Sequence, residues 1–380
     1  MTKLITTCGL TLFGMFFGAG NLVFSLKIGQ SVEANWPLGF AGLILSDVVL
    51  SFCGLFFVLK RHHGDGSSFF GEVGTLAKTV LPFLALSLLG PFGVAPRCVT
   101  VAYGGVNRLI PDLPLWAFSA VFCVGSFFVG LNDRRVINVI GKVMTPILLL
   151  SIFVVFAIGT THSGELNAPL PPAGAFCEGF VAGYQTMDLL LAFFSAALIF
   201  SQIRESLPAG ASKKDAVKIA VKASVLASTL LAFTYFCMVY LGSHFASLLT
   251  NVKPSSILVV ITDYVAGDYA ALFIAIIITL SCFTSVAPLN AMYAKYICSA
   301  FKLGENAFSF VLLATAATSF LISLFDFGGI IKFLSPTLEA LYPGIVALTA
   351  AGVFFKEQYM LKKILFYGIL VVVLLMRIIG

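Results

Sequence analysis

The chain has 380 residues, 59% of them hydrophobic and 11% charged, where an average soluble domain carries about 25% charged residues. Its 23 Lys and Arg with 17 Asp and Glu cannot cover the surface of a soluble protein of this size, and a mean hydropathy of +1.03 makes lipid the solvent of most of the chain. The net charge of +6 comes without a basic stripe interleaved with aromatics, so it reads as loops that orient a membrane protein rather than as a nucleic-acid surface.

In chain order, apolar runs separated by charged or Pro/Gly-rich breaks cover about residues 5–26, 36–59, 79–106, 113–131, 136–160, 178–202, 221–242, 269–294, 306–325, 331–355 and 363–379. Each is close to the roughly 20 residues that cross a bilayer core, and since irregular backbone cannot face lipid, each is expected to be helical. The fold class expected is an all-α integral membrane protein of about 11 to 12 spans, a single membrane domain over 1–380. The first run starts at Met1-Thr2-Lys3 and contains Gly18-Ala19-Gly20, the outline of a signal peptide with a small-residue cleavage site. Apolar character resumes at Leu22-Val23-Phe24, which favours a first membrane helix. The stretch from His244 to Asp268, with Pro254 and Ser255-Ser256-Ile257-Leu258, is expected to be a re-entrant or interfacial segment on the outer side. With the N-terminus in the cytoplasm, seventeen Lys and Arg fall at inner ends and five at outer ends, a strong positive-inside bias. The 8 Cys form no C-x-x-C pair and read as small apolar packing residues.

Two runs are interrupted near the membrane middle. The first reads Phe16-Phe17-Gly18-Ala19-Gly20-Asn21-Leu22, the sixth Gly179-Phe180-Val181-Ala182-Gly183-Tyr184-Gln185-Thr186-Met187-Asp188. Glycines in membrane helices also serve close packing, but a broken helix frees backbone N–H and C=O groups that are tolerated only beside a cavity. The positive end of a half-helix suits a carboxylate, and freed carbonyls suit a cation or an ammonium. Breaks at corresponding positions of two five-helix halves point to an inverted-repeat transporter.

Gly18-Ala19-Gly20-Asn21 with Phe24, then Gly90-Pro91-Phe92-Gly93-Val94-Ala95-Pro96-Arg97, the sixth-run motif and Ala340-Leu341-Tyr342-Pro343 together resemble the branched-chain amino acid:cation symporter family, the bacterial system II carriers, collinearly over nearly the whole chain. The resemblance implies a LeuT-like fold: a first five-helix repeat over 5–160, an inverted second over 176–355 and an additional helix at 363–379. It also implies import of leucine, isoleucine and valine coupled to sodium. The chain departs from the family where Ser25-Leu26 stand in place of the usual prolines, and in showing eleven runs against the usual twelve.

Arg97 lies about 14 Å from the outer end of the third run at 1.5 Å per residue, where an unpaired Arg is costly, so it is expected to have a carboxylate, backbone carbonyls or a wet cavity beside it. Asp47, Asp188 and Glu339 are the acids at comparable depth; Asp188 is the preferred ion-pair partner because it follows a break. Three acids against one Arg leave carboxyls that can carry a proton, so proton coupling stays open. In the eighth run, Ser281-Cys282-Phe283-Thr284-Ser285 can present the Thr284 and Ser285 hydroxyls and the Ser281 carbonyl to one side, the oxygen ligands a hard cation requires, although such hydroxyls usually bond the preceding turn. The LeuT-like resemblance implies that Gly14 and Phe17 add carbonyls to this sodium site. The substrate carboxylate is expected at the N–H groups of Ala19, Gly20 and Asn21, and its ammonium at carbonyls near Tyr184, Thr186 and Met187. Tyr103 is a candidate to close the site.

A membrane enzyme is disfavoured, since none of His62, His63, His162 and His244 lies inside a run and no H-E-x-x-H, G-x-S-x-G or Walker loop occurs. A channel would build its pore from symmetric subunits. The expectation is a secondary transporter of branched-chain amino acids using Na+ or H+ and no cofactor, in the inner membrane, with no obligate protein partner; a proton-coupled carrier of other neutral amino acids is the alternative.

Overall fold

The computed structural model describes residues 1–161, 164, 166, 167, 169–208, 210, 212–252, 256–304, 306–325, 341–352, 355 and 358–379. Among them there are only helices and connecting turns, with no strand. In order they are α1 Thr2–Phe16, α2 Ala19–Val32, α3 Trp36–Leu43, α4 Leu50–Arg61, α5 Gly66–Phe70, α6 Thr75–Leu89, α7 Val94–Asn107, α8 Leu115–Gly130, α9 Asp133–Val139, α10 Thr145–Gly159, α11 Pro172–Gln185, α12 Asp188–Ser206, α13 Lys213–His244, α14 Ile257–Ala266, α15 Ala270–Ala300, α16 Ala307–Ser323, α17 Leu341–Gly352 and α18 Tyr359–Ile379. Starts follow local chemistry: Asp65 accepts from the Ser67 and Ser68 amides ahead of α5, Asn132 from Arg134 ahead of α9, and Ser212 from Asp215 ahead of α13, each satisfying an orphan N–H.

The expected runs become these helices with two refinements. α3 and α4 are one rod joined by the wide π-helical segment Ile44–Val49, and α9 and α10 are joined in the same way by Ile140–Met144. The third run is not a single helix: α6 stops at Leu89 and α7 starts at Val94, with Gly90-Pro91-Phe92-Gly93 between them. The residues from His244 to Asp268 hold the ten-residue α14 packed on α15, in keeping with a segment too short to span. Of the tenth run only α17 is described, and Glu339 lies outside the described residues.

Side chains such as Val121, Phe310, Trp116 and Leu150 are exposed on the outside of the bundle, as lipid-facing residues are. Inside, helices meet backbone to backbone where glycines allow it. A Cβ on Gly29 would lie 2.1 Å from the Val239 carbonyl and one on Gly242 2.1 Å from the Leu26 carbonyl, so α2 and α13 touch directly. α3 and α11 do the same: a Cβ on Gly179 would lie 1.9 Å from the Gly39 carbonyl. This small-residue packing is what joins helices where lipid removes the hydrophobic drive. The eight cysteines are free thiols, five of them buried.

Candidate functional site

The first break falls at Phe17 and Gly18. α1 ends, Gly18 is extended (φ −96, ψ −171), and α2 starts afresh. The carbonyls released at the end of α1 are met by α15: the Ser281 hydroxyl donates to Phe17 O at 2.7 Å, and Ser285 Oγ lies 3.0 Å from Met15 O and 3.4 Å from Gly14 O. Thr284 Oγ1 donates to Ser281 O at 3.0 Å. Gly14, Phe17, Ser281, Thr284 and Ser285 are thus brought to one place, with Ser281 contributing its hydroxyl as well as its carbonyl. A Cβ on Gly14 would lie 2.5 Å from Thr145 Oγ1, and that buried hydroxyl has no partner among the described residues. The cluster is made only of carbonyls and hydroxyls, donors that suit a hard cation; no His, Cys, Asp and Glu group able to hold a metal ion occurs among the described residues.

The second break lies four residues beyond the last of the sixth-run glycines, at Met187. Gly179 and Gly183 are packing residues, since a Cβ on Gly183 would fall 2.2 Å from Ser46 Oγ, and α11 runs on to Gln185. The chain turns at Met187, which holds a left-handed backbone (φ 68, ψ 16) and caps α12. Such a conformation costs a non-glycine residue about 1–2 kcal/mol and is held here by its surroundings. Thr186 Oγ1 lies 2.6 Å from Asp47 Oδ1 and 2.7 Å from Gly183 O.

The two breaks are fastened to each other. Asn21 Nδ2 donates to Asp188 Oδ2 at 2.7 Å and to the Tyr235 hydroxyl at 2.5 Å, while Asn21 Oδ1 accepts from the Gly18 amide at 3.3 Å. All three side chains are buried, and Tyr235 stands tilted against Phe17 with ring centroids 6.2 Å apart. Tyr235 was not among the residues expected at the site. Its only signal is a polar tip in the middle of an apolar helix, which is common enough in cores to carry little weight.

The Arg97–Asp188 ion pair is not formed. Asp188 instead accepts from Asn21, Asp47 faces Thr186, and the Arg97 guanidinium lies against Gly20, where a Cβ would sit 2.8 Å from Nη2. Arg97 is 5% exposed, and it makes no ion pair or hydrogen bond through its side chain among the described residues, its Nε being buried without a partner. Ala19 lies beside the Cys98 thiol, which in turn faces Cys282. Tyr103 is placed elsewhere: its hydroxyl donates to Leu113 O at 3.0 Å and its ring packs on Phe118. Tyr184 meets Tyr342 edge to face at 4.5 Å.

A cavity of about 810 Å³ opens between the start of α1 (Thr2, Thr6, Leu10), α9 with the π-helical segment after it (Arg134, Lys142) and the end of α12 (Gln202, Glu205). At the opposite end of the bundle, Arg108 just beyond α7 pairs with Asp263 of α14.

Known proteins match over this same length. The model of a family described as branched-chain amino acid transport protein matches residues 1–380. Branched-chain amino acid permease BrnQ of Bacillus subtilis (strain 168) is 29% identical over 361 residues, which are 90% of this chain and 79% of that one. A branched-chain amino acid transport system 2 carrier protein of Pseudomonas aeruginosa is 26% identical over 386 residues, 98% of this chain and 85% of its own. Among solved structures, MhsT in complex with L-phenylalanine superposes with a TM-score of 0.64 at 13% identity, covering 97% of either chain. Mhp1 closed around bromovinylhydantoin does so with a TM-score of 0.62 at 14% identity, covering 98% of this chain and 90% of that one. At such identities the likeness is one of fold, that of the LeuT-like helical transporters with broken first and sixth helices.

Proposed function

The chain belongs to the branched-chain amino acid transport protein family, and we propose that it imports leucine, isoleucine and valine across the cytoplasmic membrane together with a cation, Na+ in the first place. The observation that carries the coupling is the oxygen cluster where Ser281, Thr284 and Ser285 meet the loose end of α1. A cation there would hold α1 to α15 through backbone carbonyls, next to the gap between half-helices in which an amino acid would lie. The apolar, Phe-rich interior favours an aliphatic side chain. With Arg108 and Asp263 joined at one end and the cavity beside α1 at the other, the bundle is suited to alternating access, the two repeats over 5–160 and 176–355 rocking about the breaks. The charge bias of the loops supports a cytoplasmic N-terminus.

A second reading is proton coupling, favoured by the position of Asp47 and Asp188 on either side of the second break, with Asp47 Oδ2 buried and without a partner among the described residues. The deciding experiment is labelled leucine uptake into proteoliposomes with an inward Na+ gradient, an inward proton gradient, or none. Accumulation driven by Na+ is the expected outcome. Accumulation driven only by protons moves coupling to the carboxyls, and no accumulation of any branched-chain amino acid by folded protein refutes the substrate assignment.

A further inference from the structure

We propose that the Arg97 guanidinium, laid against the first turn of α2 by the missing side chain of Gly20, binds the carboxylate of the transported amino acid. The inference rests on the amino-acid transport reading and assigns one residue of that site. A guanidinium keeps its charge in a protein, and a buried charge with no partner is held at a large cost. Arg97 is 95% buried yet unpaired among the described residues, and the acids nearest the breaks are engaged by other groups, Asp188 by Asn21 and Asp47 by Thr186. Among the described residues no acid meets this cation, which leaves it to an anion that comes from outside.

Where that anion sits follows from the backbone. The start of the 14-residue α2 carries the positive end of a helix, and a Cβ on Gly20 would come 2.8 Å from Arg97 Nη2. Two positive features of different origin, a guanidinium and a helix N-terminus, thus converge on the one break in the first membrane span. The planar guanidinium fork matches a carboxylate by two parallel hydrogen bonds. An amino acid also carries its own ammonium, so it can neutralise Arg97 while leaving a positive group for the acids across the gap. A metal cation would be repelled from this point, which separates it from the oxygen cluster at Ser281 and Ser285.

The test is competition against labelled leucine on purified wild-type protein by leucinamide, in which the carboxylate is neutral, and by 3-methylbutylamine, in which it is absent. Wild type should prefer leucine over both by about tenfold to a hundredfold, the worth of a charge-assisted hydrogen bond. Arg97→Gln should lose leucine affinity by a similar factor and cease to distinguish leucine from leucinamide; Arg97→Lys should restore part of the preference. Gly20→Ala keeps every polar side chain but pushes the guanidinium aside, so it should collapse the same ratio even if the Gln variant does not fold. A folded Arg97→Gln or Gly20→Ala protein with the wild-type leucine-to-leucinamide ratio overturns the proposal. So does loss of a chloride dependence of uptake in these variants with that ratio unchanged, which would make the anion chloride. Wild-type protein that binds no branched-chain amino acid overturns the transport reading and this one together, whereas leucine binding with a ratio indifferent to Arg97 overturns this one alone.

Discussion

Replacing Asn21 by Ala should loosen both breaks at once. Its side chain makes three hydrogen bonds of 2.7, 2.5 and 3.3 Å, to Asp188, Tyr235 and Gly18, in a site where Asn21 is 4% exposed. Side-chain hydrogen bonds between membrane helices average about 0.6 kcal/mol and reach about 1.7 kcal/mol, while one to a carboxylate is worth about 1.5–3 kcal/mol. Asn21→Ala should therefore cost about 2–4 kcal/mol of stability. Tyr235→Phe removes the Asn21–Tyr235 bond and leaves the Asn21–Asp188 bond in place, and should cost about 0.6–1.7 kcal/mol. Denaturant titration of the two variants and their double mutant in mixed micelles measures both numbers and their coupling, which should be at least about 0.5 kcal/mol for groups in contact. Leucine uptake should fall in Asn21→Ala more than in Tyr235→Phe. If Asn21→Ala is no worse than Tyr235→Phe in stability and transport, Asn21 does not fasten the breaks and the reasoning fails.

Ser285→Ala should raise the Na+ concentration needed for half-maximal leucine uptake by about tenfold to a hundredfold, with uptake at saturating Na+ largely kept; an unchanged Na+ dependence argues against the oxygen cluster as the coupling site. Gly179→Val forces a side chain to within 1.9 Å of the Gly39 carbonyl, which only separation of α3 and α11 relieves, so the purified protein should lose its monodisperse peak or melt at clearly lower temperature. Away from the membrane interior, Glu72 is buried against Lys362 Nζ at 2.6 Å, Arg61 Nε at 3.3 Å and His62 Nε2 at 3.4 Å. Burial pushes its carboxyl up, but the His62 and Lys362 hydrogen bonds and the Lys362 and Arg61 charges prevail and hold it below its ordinary value of 4.5. With the folded value depressed, this stabilisation is fully present above about pH 4.5 and is lost as pH falls through the folded value. Glu72→Gln removes the charge that faces Lys362 and Arg61, so hydrogen exchange in α18 should speed up, and stability of the variant should no longer carry that acid limb.

The class of fold was legible in composition and run length, because a bilayer imposes both. The breaks were legible in position but partly for the wrong reason. Gly18 does sit at the first break, whereas Gly179 and Gly183 serve contact with α3 and the second break is made by Thr186 and Met187. Glycine spacing alone does not tell a packing glycine from a hinge, since both demand a missing Cβ. The third-run interruption was present as Gly90-Pro91-Phe92-Gly93 but was masked by the apolar residues around it. The Ser281–Ser285 cluster was legible because its residues lie within one helix. Tyr235 was not, being 214 residues from the Asn21 it meets. The π-helical segments Ile44–Val49 and Ile140–Met144 have no sequence signature, yet the first holds Asp47 and the second leads into Thr145; such bulges are frequent at functional sites. The expected Arg97–Asp188 pair failed because depth along a helix says how far a charge is from water and nothing about which neighbour reaches it first.

The same oxygens that would hold a cation now receive hydroxyl protons, and this exchange connects the ion to the helices. Ser281 Oγ and Ser285 Oγ direct their protons at Phe17 O and at Met15 O or Gly14 O, over 2.7 to 3.4 Å. On the proposed reading, a cation entering between them must turn both hydroxyls so that lone pairs rather than protons face it, and it then draws carbonyls of α1 and oxygens of α15 toward one point. Hydrogen bonds of neutral groups are replaced by ion–dipole contacts to the same atoms, so α1 is held to α15 more tightly with the ion than without it. Because α2 begins one residue beyond the Gly18 hinge and its Asn21 reaches Asp188 and Tyr235, a fixed α1 also fixes the gap in which the amino acid would lie. The cation would therefore raise substrate affinity by ordering the break rather than by touching the substrate. Reciprocity of linked binding then requires leucine to raise cation affinity by the same factor. Measuring Na+ binding with and without saturating leucine, in wild type and in Asn21→Ala, should give a clear ratio in the first and a ratio near one in the second; equal ratios would mean that coupling bypasses the Asn21 contact.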